Sequence, residues 1–93
     1  MITMISHANY KNYIGMKVVV EIFCYSGGML YPDNNILIGM NPDYYYFKSE
    51  DLDDDGNEIF WHWKSQSDSD CSIQVWEAEE YFIFNNKNGR SNI

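Results

Sequence analysis

The stretch YYYFKSEDLDDDGNEIFWHWK, residues 44–64, decides the fold class. Two aromatic-rich runs, residues 44–52 and 58–64, flank Asp53-Asp54-Asp55-Gly56-Asn57. Asp-Gly takes up the positive-φ geometry that tight hairpin turns demand, and aromatic side chains favour a pleated, half-buried surface. The stretch therefore reads as a β-hairpin. In its second arm Ile59, Trp61 and Trp63 share one face while Phe60 and His62 share the other, because successive side chains on a strand alternate.

Working outward, residues 16–25 show the same two-residue period. Met16, Val18, Val20, Ile22 and Cys24 lie on one side, and Lys17, Val19, Glu21, Phe23 and Tyr25 on the other,. Ser26-Gly27-Gly28 allows a reversal, and Pro32-Asp33-Asn34-Asn35 makes a second turn before the apolar run 36–38,. We expect a second strand there, broken at Pro32. After the polar link 65–70, Cys71, Ile73 and Val75 alternate with Ser72, Gln74 and Trp76 as the last long strand,. Glu77-Ala78-Glu79-Glu80 interrupts this pattern as a bulge, a corner or one helical turn before the strand-like run 81–84,. At the other end Ser6 is placed to cap a short helix, Tyr10, Tyr13 and Ile14 share one of its faces, and Gly15 can end it,.

The expected architecture is mainly β, with α+β as the alternative: about five strands in an antiparallel meander or a small SH3-like barrel, with one short N-terminal helix. The 93 residues suffice for one hydrophobic core,. We divide this single domain, 1–93, into a helix-containing segment (1–15), a strand-rich body (16–85) and a frayed tail (86–93).

Charge is regional. Between Asp43 and Glu80 twelve acids face only Lys48 and Lys64, whereas the first 42 residues balance, within a formal total of −8,. Such a field repels phosphate backbones and anionic lipid, which disfavours direct nucleic-acid or membrane binding. Neither a basic leader nor a long apolar run opens the chain, so a cytoplasmic location is expected,. Cys24 and Cys71 sit in separate strand-like runs and read as buried free thiols, a disulfide between neighbouring strands being the oxidising-compartment alternative,.

An anionic surface on a rigid scaffold can occupy the basic cleft that an enzyme keeps for nucleic acid, using the target's own charge. Acids two apart on an extended chain, such as Asp51, Asp53 and Asp55, recur at about 6.6 Å, close to two phosphate rises along a DNA strand. We expect Glu50, Asp51, Asp53, Asp54, Asp55 and Glu58 to steer a partner, with Asp68, Asp70, Glu77, Glu79 and Glu80 extending the surface,. Tyr44, Tyr46, Trp61 and Trp63 are the anchor candidates, Tyr45 and Trp76 lying nearby, since buried aromatics carry most binding energy,.

The stretches EDLDDDGNEIFWHW and DSDCSIQVWEAEEYF resemble, in composition, two loose groups of proteins. One comprises phage-encoded acidic inhibitors of CRISPR or restriction nucleases, including DNA mimics. The other comprises immunity proteins that neutralise nuclease toxins. The resemblance implies a stoichiometric inhibitor, not an enzyme, acting as a monomer or homodimer on a basic nucleic-acid-binding protein and needing no cofactor; it carries no residue assignments across.

Two other chemistries match parts of the chain. Asp51-Leu52-Asp53-Asp54-Asp55-Gly56 matches the opening of a calcium loop, with Asp51, Asp53 and Asp55 as candidate ligands,. Glu58 and His62 then fall where that loop needs an apolar residue and a bidentate Glu, so an acidic turn is the stronger reading,. His62, between two tryptophans, has the position of a pH-sensitive interface residue or, with a nucleophile beside it, a catalytic base; no such partner is inferable from the chain, so an ordinary structural or exposed histidine is the stronger reading,. A structural subunit that self-associates through the Tyr/Trp strands is the remaining alternative.

Overall fold

The computed structural model describes residues 2–31 and 34–87. A single 3-10 turn (Tyr10–Tyr13) precedes β1 (Val18–Cys24), β2 (Gly27–Tyr31), β3 (Asn35–Met40), β4 (Tyr44–Leu52), β5 (Glu58–Lys64), β6 (Cys71–Glu77) and α1 (Ala78–Lys87). The strands form two three-stranded antiparallel sheets, β2-β1-β6 and β3-β4-β5. The chain is mainly β, as expected.

The order is not that of a five-stranded meander. The described residues form six strands, and β6 returns to pair with β1 instead of continuing from β5. The reason lies in β1, where Val18, Val19, Val20 and Ile22 are all buried. A strand covered on both faces belongs in the middle of its sheet, where both edges are paired. The β6 register completes it, setting Val75 opposite Val20 and Ile73 opposite Ile22.

The two sheets enclose one core of Ile5, Val18, Val20, Ile22, Leu37, Tyr45, Phe47, Ile73 and Val75. Each such aliphatic or aromatic side chain contributes about 1.5–3 kcal/mol on leaving water. The sheets are tied through the start of β1: Lys17 bridges Ile36, the Gly15 N–H donates to Leu37 O, and the Leu37 N–H donates to Met16 O. Gly15 enters this pairing with φ +86°, a conformation that costs glycine little,. This demand limits the expected N-terminal helix to one 3-10 turn. The Ser6 carbonyl accepts the Asn9 and Tyr10 N–H groups at its head, while Ser6 Oγ accepts the nearby Ala8 N–H.

Residues 81–84 belong to a helix, not to a further strand. Glu77 Oε2 and Oε1 accept the N–H groups of Glu79 and Glu80, which caps the start of α1,. Acids in the first turn also suit the positive end of the helix dipole,. Tyr81 is buried where α1 crosses β1 and β6, and its hydroxyl donates to Glu21 Oε2.

The apolar residues on either side of Pro32 form β2 and β3, strands of different sheets. The expected break at Pro32 lies outside the described residues, as does the tail beyond Lys87, while Asn86 and Lys87 continue α1. The free-thiol reading is also corrected: Cys24 and Cys71 are directly opposite on β1 and β6 and form a disulfide.

Candidate interaction surface

β4 and β5 form the hairpin read from the sequence, closed by residues 53–57. Asp53 Oδ1 accepts the N–H groups of Asp55 and Asn57, the Gly56 N–H donates to Asp53 O, and Gly56 holds φ +83°. The turn is thus built by its first aspartate and its glycine. Asp51 Oδ2 accepts from Asn34 Nδ2. Among the described residues no group of three or more His, Cys, Asp and Glu is placed to hold a metal ion, so Asp51, Asp53 and Asp55 do not converge as calcium ligands.

The predicted acids divide between the two ends of the molecule. Glu50, Asp51, Asp53, Asp54, Asp55 and Glu58 are all exposed at the hairpin tip. Lys17 reaches Glu50 at 3.4 Å and Lys48 reaches Glu58 at 2.7 Å, so four carboxylates remain in excess there. The start of α1 joins this end, because the Ala78 N–H donates to Lys17 O; exposed Glu79 and Glu80 therefore add to the same pole. Glu77 is buried and spends its carboxylate on the helix cap.

Asp68 and Asp70 lie at the other end of β5, about 20 Å away for a strand of this length,. Asp68 pairs with Lys64 and accepts the N–H groups of Asp70 and Cys71. The Lys64 ammonium, then the Cys71 and Asp70 N–H groups, hold its carboxyl down at about 2,.

The aromatic candidates divide by face. Trp61 and Trp63 point inward: Trp61 packs on Phe47 with ring centroids 4.5 Å apart and donates its Nε1–H to Asn35 Oδ1 at 3.0 Å. The Trp63 indole nitrogen is buried with no hydrogen-bond partner among the described residues. Tyr45 is also inward, 2% exposed, and donates to the Ile5 carbonyl at 2.6 Å. Burial pushes its phenol up to about 12.

Tyr44 and Tyr46 point outward and meet exposed His62, whose ring centroid lies 5.0 and 6.0 Å from theirs. Phe60, 58% exposed, follows on the same face toward the acidic tip, and Ile38 of β3 is exposed too. Sequence reasoning missed Phe60 and Ile38 as candidate contacts, although the alternation of β5 separates Phe60 and His62 from the two tryptophans. The assembled surface is an outward aromatic strip ending in an unbalanced anionic tip. No described helix is long and apolar enough to cross a membrane. No protein-family model matches the chain, and neither a curated protein nor a solved structure matches it.

Proposed function

We propose that this chain is a small protein-binding inhibitor that occludes the basic nucleic-acid-binding site of a nuclease or related effector, in the manner of phage-encoded anti-CRISPR or anti-restriction proteins. The observation that carries the reading is the continuity between the acidic tip and the outer aromatic strip of β4 and β5. The tip accelerates encounter with a cationic groove, while Tyr44, Tyr46 and Phe60 offer apolar area for retention. Glu50, Asp51, Asp53, Asp54, Asp55, Glu58, Glu79 and Glu80 constitute the proposed contact charge. Asp68 and Asp70, beyond the opposite end of β5, fall outside it.

In the same reading the two sheets, tied at Lys17 and Ile36 and approached elsewhere by Tyr31 and Trp61, form an open SH3-like barrel that holds the hairpin rigid. The proposed place of action is the cytoplasm of the host cell. In that reducing setting Cys24 and Cys71 would stand as facing thiols across β1 and β6, whereas an oxidising compartment maintains their bond,.

The test is capture from host extract on the immobilised chain and on its Asp53→Asn/Asp54→Asn/Asp55→Asn/Glu58→Gln variant. These replacements retain side-chain oxygens that can accept the turn bonds while removing charge. A basic protein held by the native chain, lost in the variant and released as salt rises, supports the proposal. Equal capture by both at every salt concentration refutes it.

A further inference from the structure

We infer that the outer face of the β2-β1-β6 sheet, where α1 crosses it, holds a binding site for a small quaternary ammonium cation of the choline class. A cavity of about 370 Å³ lies there, within the size range of small-molecule sites,. One carboxylate, Glu21, and four aromatic residues, Phe23, Trp76, Tyr81 and Phe84, line it together with Ile2 and Gln74. None of these belongs to the acidic tip or the aromatic strip of β4 and β5, so the inference goes beyond the inhibitor reading and stands apart from it.

Strand alternation builds the site. Val20 and Ile22 of β1 and Ile73 and Val75 of β6 are buried between the sheets, so Glu21, Phe23, Gln74 and Trp76 project from the opposite face,. The register sets Glu21 opposite Gln74 and Val19 opposite Trp76, which makes Trp76 the diagonal neighbour of Glu21,. Tyr81 and Phe84 are three positions apart on α1, so the helix brings both over this face,.

The chemistry of Glu21 selects the ligand. The residue is half-buried, its Oε1 accepts from Trp76 Nε1–H at 2.6 Å, and its Oε2 accepts from the Tyr81 hydroxyl at 3.1 Å. Both donors are neutral, so they fix the carboxylate without cancelling its charge. No lysine or arginine pairs with it among the described residues. Aromatic faces attract cations through their quadrupole but accept no strong hydrogen bond. A trimethylated ammonium suits both features: its methyl groups pack on rings, its charge balances Glu21, and it has no N–H group to satisfy. Guanidinium and primary ammonium groups bring several donors that need acceptors, and the Glu21 oxygens already accept from Trp76 and Tyr81,. An anionic group on the ligand would meet Glu21 and the field of a chain of charge −8, so the site favours a net cation over a zwitterion,.

The experiment is calorimetric titration of the full chain with choline at constant ionic strength, with the Trp76 indole N–H followed by NMR. Three other probes run beside it: the neutral isostere with a tert-butyl group in place of trimethylammonium, glycine betaine, and arginine. Choline should saturate one site with a Kd below about 1 mM and shift the Trp76 signal in step, and each of the other three should bind at least about ten-fold more weakly. Glu21→Gln retains an oxygen for the Trp76 N–H and should weaken choline at least about ten-fold. Phe23→Leu, at a position 51% exposed, should keep the fold by near-ultraviolet circular dichroism and weaken choline about two- to five-fold,. Absence of saturable choline binding overturns the proposal, as does choline binding unchanged in Phe23→Leu or in folded Glu21→Gln. Equal binding of the neutral isostere would show an apolar cavity indifferent to charge, and equal binding of betaine or of arginine would deny the selectivity; each outcome overturns it as well.

Discussion

Cys24 and Cys71 face each other at the end of the β1–β6 ladder and are covalently joined, 47 positions apart in sequence. The bond closes a loop that contains β2, β3, β4 and β5, so it restricts the unfolded chain far more than the folded one. A chain-entropy argument for that loop length gives about 4 kcal/mol. The Cys24→Ala/Cys71→Ala variant should accordingly show a lower urea midpoint than the oxidised native chain, and reductant should lower the native midpoint toward the variant's. Identical midpoints in all three samples would deny the bond a stabilising role.

Phe47 and Phe60 are the same residue type on paired strands, yet their surroundings differ completely. Phe47 is 0% exposed and stacks between Tyr45 and Trp61, whereas Phe60 projects from the outer face. Phe47→Ala should cost about 3–5 kcal/mol through a cavity that the two rings cannot fill. Phe60→Ala should fall within about 0.5 kcal/mol of the native chain in the same denaturant titration, because an exposed ring leaves no cavity.

Stability should fall at both extremes of pH for separate reasons. The Tyr45 phenol is raised from 10.0 to about 12 by burial, so its contribution is complete below pH 10 and disappears as pH climbs toward 12,. Ionisation also removes the proton donated to Ile5 O, which releases the N-terminal segment from the core. The Asp68 carboxyl is lowered from 3.8 to about 2, chiefly by Lys64, so its contribution is present above pH 4 and is lost as pH falls through about 2,. Melting curves from pH 2 to 12 should show the alkaline loss abolished in Tyr45→Phe, which is itself less stable by about 1 kcal/mol at neutral pH. Asp68→Asn should flatten the acid limb.

The hairpin was legible because everything that makes it is local: Asp-Gly at the turn, aromatics in both arms, and a strict alternation within β5. What β6 pairs with was not legible, since alternation identifies a strand without naming its neighbour. The disulfide followed the same pattern, because Cys24 and Cys71 become close only once β6 is set beside β1. Residues 81–84 have strand-like composition, and the helix there depends on Glu77, which reads as a surface acid until its carboxylate is seen over the N–H groups of Glu79 and Glu80. The charge count between Asp43 and Glu80 was correct as arithmetic, but it could not register that β5 carries the chain to the opposite end before Asp68. Alternation separated Trp61 and Trp63 from Phe60 and His62; the contact of Trp61 with Phe47 decides which pair is core.

The claim that the acidic tip occupies a nucleic-acid site is tested most directly on the captured basic protein, by fluorescence anisotropy of a labelled DNA or RNA strand bound to it. The native chain should displace the strand completely at one-to-one stoichiometry, whereas the Asp53→Asn/Asp54→Asn/Asp55→Asn/Glu58→Gln variant should do so only at far higher concentration. A ternary complex, in which strand and chain bind the protein together, would contradict it.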